Sequence, residues 1–124
     1  MMALHPDPNA PAAPTATFDD FSKLDIRVGT VLSAQAFPQA RRPAYQLTID
    51  FGGGIGVKAS SAQITARYDV EALVGMQVMA VVNLAPRRIG PFLSEVLVLG
   101  CADDAGRIVL TVPGAPVPNG ARLV

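Results

Sequence analysis

The chain has 124 residues, 50% of them hydrophobic, and its 10 Lys and Arg balance 10 Asp and Glu. This length suits one domain, and a net charge of zero leaves any attraction for a polyanion to a local patch. The single cysteine, Cys101, excludes an internal disulfide and a Cys-rich zinc site, and the single histidine, His5, precedes the expected folded part, so imidazole-based catalysis, metal sites and bound cofactors are not expected there.

Met1 to Thr17 carries Pro6, Pro8, Pro11 and Pro14 among small residues and reads as a coil tail. It lacks the basic start and apolar run of a secretory signal, and nothing in the chain approaches the roughly 18 apolar residues of a membrane span. A cytoplasmic protein with no membrane insertion is the expectation, with one domain from Phe18 to Val124. Asp19, Asp20 and Asp25 at its entry match no calcium-loop spacing and read as solvated charges.

Arg27 to Phe37 is a strand-like run ended by Pro38, with Gly29 predicting a bulge or sharp bend. Tyr45, Leu47, Ile49 and Phe51 alternate with Gln46, Thr48 and Asp50, the period-2 pattern of a half-buried strand. Gly52-Gly53-Gly54 predicts a tight reversal into a second strand carrying Ile55, Val57 and Ala59. The spacing fits no phosphate-binding loop, because no Gly-Lys-Ser/Thr triplet follows and the flanks are strand on both sides. Ser60 and Gln63 have the spacing of a helix capping box and predict a short helix through Arg67. Asp69 to Gly75 predicts another helical turn, capped by Asp69 and stopped by Gly75. Gln77–Val82 and Glu95–Leu99 read as strands covered on both faces, Arg107–Val112 as a further strand, and the segment with Pro113, Pro116 and Pro118 as irregular. Cys101 reads as a small core residue. Three strands, a short helix and two strands is the order of the all-β five-stranded OB-fold Greek-key barrel, with an SH3-like barrel or a small sandwich also compatible.

Arg87 and Arg88 stand on a proline-stiffened turn, Asn83 to Pro91, between two apolar runs. Arginine's planar fork suits phosphate oxygens, and a rigid turn holds such forks with little entropy left to lose. Arg41 and Arg42 on the loop after the first strand, Lys58, and Arg67 would join them if the barrel is of OB type, because its loops flank one binding face. The alternative is that each is solvated or paired with Asp69, Glu71 or Glu95. Few aromatics are available for base stacking, so any RNA recognition would rest on backbone and shape. Charged residues make up 16% of the chain against about 25% in ordinary domains. Together with the apolar residues Val117, Leu123 and Val124 after the prolines, this predicts a homodimer.

The residues also resemble a family. Asp25-Ile26-Arg27-Val28-Gly29-Thr30-Val31, Phe37-Pro38-Gln39-Ala40, Ile49-Asp50-Phe51-Gly52, Gln77-Val78 to Asn83-Leu84 with Pro86, and Ser94-Glu95 are similar to the tRNA-binding domain of methionyl- and phenylalanyl-tRNA synthetases and its free-standing homologues. Within that family, Ser60 to Thr65, Pro86 to Ile89, Ser94 to Gly100 and Pro116 to Gly120 resemble the CsaA branch of stand-alone, export-related chaperones. The resemblance implies an OB-fold homodimer that binds unfolded or preprotein peptides and acts with the Sec export motor. Its alternative is a tRNA-binding module acting in trans with a synthetase. It carries an RNA-binding role to Asn83, Arg87 and Arg88, beside Arg41, Arg42, Lys58 and Arg67. A peptide surface would comprise Phe37, Ser60, Ser61, Gln63 and Phe92. Two departures stand out: Gly90-Pro91 replaces a further Arg-Gly of the wider family, and Phe37-Pro38-Gln39-Ala40-Arg41 replaces its His-Pro-x-Ala-Asp.

Overall fold

In the computed structural model, which describes residues 6–124, the alternation around Tyr45 becomes a central strand. β1 (Ile26–Ala36) pairs antiparallel with β2 (Tyr45–Asp50), and β2 with β3 (Val57–Ala62) across the glycine turn. The near end of β1 pairs with β4 (Gln77–Val81), and β4 with the short β7 (Leu97–Val98). The sheet closes on itself through the Glu95 amide, which donates to the Ala59 carbonyl on β3 at 2.8 Å. The outcome is a nearly closed five-stranded barrel of OB type, with α2 (Val70–Leu73) plugging one end through the fully buried Leu73. Val31, Leu47, Ile49, Phe51 and Val78 fill the interior beside it.

A second helical turn, α1 (Phe18–Ser22), opens the domain with a capping box between Thr17 and Asp20, while residues 6–17 form no helix or strand. Asp25 is more than a solvated charge: it pairs with Arg27 at 2.6 Å and with Arg122 at 3.4 Å.

Several expectations are corrected. The register shift in β1 falls between Val31 and Ser33, not at Gly29. Gly29 pairs regularly with Val78 and serves close packing instead, since a Cβ there would lie 2.6 Å from Ile49 Cγ2 and 2.7 Å from Phe51 Cδ1. No helix follows Ser60. The backbone of Ser60 and Ser61 stays in the β2 ladder opposite Leu47 and Gln46, and the buried Ser60 hydroxyl donates to the Val96 carbonyl at 3.1 Å. A sheet partner for the backbone and a carbonyl for the hydroxyl outcompete the capping box. Asp69 precedes α2 in extended conformation, but its side chain makes no capping bond. The second half of the chain breaks into shorter strands than expected, including β8 (Gly100–Ala102) paired with β9 (Ile108–Leu110). Cys101 lies on that outer ribbon and is exposed, not core. The C-terminal segment, although irregular, is anchored: Val28 donates to Ala121, Gly120 to Val28 and Leu123 to Ile26 at 2.8–2.9 Å, with an antiparallel bridge between Arg27 and Arg122.

Candidate functional site

Residues Arg87–Ile89 (β5) and Phe92–Ser94 (β6) form a hairpin that stands outside the barrel sheet. Arg87 and Arg88 therefore sit on a strand, opposite Ser94 and Leu93, and not on the turn itself. The turn is Gly90-Pro91, where Gly90 supplies the positive φ, +57°, that the first position of a II′-type reversal requires. At its base the hairpin is tied to β3 by the Ser61 amide, which donates to Ser94 Oγ at 3.0 Å, and by the Ala59 amide, which donates to Glu95 Oε1 at 2.9 Å. Farther out, Phe92 packs on Phe37 of the β1–β2 loop, with ring centroids 5.3 Å apart.

This packing leaves a cleft of about 400 Å³ between loop and hairpin, lined by Arg41, Arg42, Ser61, Gln63, Arg87 and Arg88 among others, and by no carboxylate. The charge arrangement is selective. Of the 10 Lys and Arg, six (Lys23, Arg27, Lys58, Arg67, Arg107 and Arg122) are ion-paired within the described residues. The other four are the arginines of this cleft. A protein with no net charge has thus gathered its uncompensated cations in one place, where their fields add. The cleft borders two hollows of mixed lining: one includes Leu84, Ala85, Glu95, Val96 and Leu97 and shares Ser61 and Arg87 with it, the other includes Pro43, Thr65, Arg107 and Ile108 and shares Arg42 and Gln63.

The remaining candidates are placed elsewhere. Lys58 pairs with Glu95 at 3.8 Å and Arg67 with Asp103 at 3.1 Å. Asn83 is a fastener: its Oδ1 accepts from the Asp25 amide at 2.9 Å and its Nδ2 donates to the Lys23 carbonyl at 2.7 Å. Ser60 and Phe37 are buried, at 0% and 3% exposure, and offer no surface to a peptide. Phe92 is half-buried on Phe37, while Ser61 and Gln63 line the cleft. Asp103 went unnoticed in the sequence, although Asp followed four residues later by Arg is a turn-and-pair signal. The Arg107 amide, then the Arg67 side chain and the Ala105 amide, hold its carboxyl below the ordinary value. Because the folded-state value is the lower one, Asp103 adds stability above its unfolded value and loses it as pH falls through the folded one. Melting followed from about pH 5 down to about pH 2 should fall less steeply for Asp103→Asn than for the parent.

The family described as "Putative tRNA binding domain" matches residues 26–122. The chain belongs to the tRNA-binding domain family. Two solved structures place it with the CsaA-type members. Chaperone CsaA from Bacillus anthracis is 52% identical, with a TM-score of 0.83 over 89% of this chain and 99% of that one. CsaA from Picrophilus torridus is 44% identical, with a TM-score of 0.83 over 89% of this chain and 100% of that one. The methionine–tRNA ligase of Bacteroides fragilis is 40% identical over 106 residues, which are 86% of this chain and 15% of the ligase. This CsaA-type chain therefore spans about 15% of the length of that relative. Among the described residues no helix is long and apolar enough to cross a membrane.

Proposed function

We propose that this protein is a non-catalytic binding protein whose arginine cleft holds the phosphate backbone of structured RNA, tRNA above all. The observation that carries this reading is that Arg41, Arg42, Arg87 and Arg88, the four cations without a carboxylate partner among the described residues, line one cleft that contains no acid. Recognition by backbone and shape follows from the aromatics. Phe37 and Phe51 are buried, and Tyr45 and Tyr68 are partly buried with their hydroxyls held, the first donating to the Tyr68 carbonyl and the second accepting from the Leu110 amide, so few rings are available to stack on a base. With about four phosphates neutralised, log K against log salt should fall with a slope of roughly −3 in filter binding with tRNA. Binding that is absent at low salt, or indifferent to salt, would exclude the reading.

The active form we propose is a homodimer. Ile26, Val28, Met79, Val117, Leu123 and Val124 line a small apolar groove beside the C-terminal segment, and the last three are exposed in the single chain. Light scattering should give twice the 12.9 kDa chain mass at micromolar concentration, and a mass of 12.9 kDa would refute it.

A second reading is favoured by the hollow beside the cleft in which Leu84 and Leu97 are exposed. An unfolded or preprotein peptide would lay apolar side chains there and acidic ones among the arginines, a reading supported by the likeness to the CsaA chaperones. A role in export, with the Sec motor as partner, rests on the resemblance alone. Release of a labelled peptide by added tRNA would show that both ligands use one surface.

A further inference from the structure

The four cleft arginines come from two elements that no ladder connects: Arg41 and Arg42 from the β1–β2 loop, Arg87 and Arg88 from the β5–β6 hairpin. The hairpin's base at Ser94 and Glu95 is tied to β3, and farther out Phe92 of the hairpin packs against Phe37 of the loop, the rings tilted at 59°. Each ring is fixed on its own side. The Phe37 amide donates to the Ala44 carbonyl and the Ala40 amide to the Phe37 carbonyl, which closes the loop that presents Arg41 and Arg42. Phe92 stands directly opposite Ile89, one residue from Arg88, next to the turn.

We propose that Phe37 and Phe92 are positioning residues of the cleft, a clasp that fixes the spacing of the two arginine pairs before a polyanion arrives. This rests on the RNA reading given above. Without the clasp the outer part of the hairpin would lose this contact with the loop, and each binding event would have to order it afresh. The arginines would still reach the same phosphates in the complex. The expected signature is therefore a loss of affinity without a change in the number of counterions released.

The test compares the full chain with Phe92→Ala, Phe92→Leu and Arg87→Gln/Arg88→Gln, using tRNA across a salt series and amide hydrogen exchange on the free proteins. Phe92→Ala should lose about tenfold in affinity with the parent's salt slope, and amides of the hairpin should exchange faster while those of β1, β2 and β4 keep their protection. Phe92→Leu should recover most of the affinity, since an apolar side chain still covers Phe37. The double arginine variant should instead flatten the slope by about 1.5 with hairpin exchange unchanged. Parent-like affinity and parent-like hairpin exchange in Phe92→Ala would overturn the clasp. So would faster exchange throughout the barrel, which marks general destabilisation. A parent protein that does not bind tRNA overturns the RNA reading instead, and the hairpin's exchange then still decides whether the clasp exists.

Discussion

Replacing Arg87 and Arg88 together by glutamine is expected to weaken tRNA binding about 30-fold near 0.1 M salt and to flatten the salt slope by about 1.5. The two figures are one statement: withdrawing two phosphate contacts withdraws the counterions they release, and at a tenth molar each unit of slope is a factor of ten. Both side chains are exposed and unpaired among the described residues, so melting should move by no more than about 0.5 kcal/mol. Lys58→Gln is the sharpest control. Lys58 pairs with Glu95, whose other oxygen already holds the Ala59 amide, so its charge is locally compensated. If Lys58→Gln weakened binding more than the double arginine variant, the cleft would not be the site.

The second large effect is on stability. Gly29→Val should destabilise the domain by about 3 kcal/mol, the upper part of the range for overpacking a filled core, with a fall in melting temperature of roughly 10–20 °C. The opposing term is smaller. Giving a strand glycine a side chain stiffens the unfolded chain and returns about 0.5–1 kcal/mol. The clash decides the sign, because the first added carbon already lies 2.6 Å from Ile49 Cγ2 and 2.7 Å from Phe51 Cδ1, and both side chains are fully buried. Gly29→Ala should be milder but still destabilising, and chemical denaturation of the pair would show the gradation. A stabilised Gly29→Ala would mean that β1 can move away from β2 at this point.

The barrel was legible where one face of a strand is buried and its neighbour is solvated. The alternation from Tyr45 to Phe51 reports that asymmetry directly, and β2 lies where it predicts. Ser60 to Gln63 misled because capping patterns are local, whereas what holds Ser60 in a strand is the Val96 carbonyl, thirty-six positions away. The hairpin at Arg87 was hidden for a related reason. Two three-residue strands outside the main sheet carry no periodicity long enough to detect, and Gly90-Pro91 reads equally as a stiff loop. For the site, the sequence named all four cleft arginines but could not separate them from Lys58 and Arg67. The separation is made by Glu95 and Asp103, which reach their partners only through the folded chain. The fastening role of Asn83 could not be foreseen, because a fastening amide and a ligand-reading amide look alike in a sequence.

The antiparallel pairing of Ile26–Val28 with Gly120–Leu123 also has a mechanical consequence. A pull applied through the backbone just before Ile26 and just after Leu123 acts on the same end of that short ladder. The load then falls first on the Leu123–Ile26 bond and on the Arg122–Asp25 ion pair beside it, and passes inward only when these break, the geometry of a zip, not of a shear. Such a ladder yields one hydrogen bond at a time, each worth only about 1 kcal/mol net, so tension peels the final strap away from β1 while the five-stranded barrel beneath stays closed.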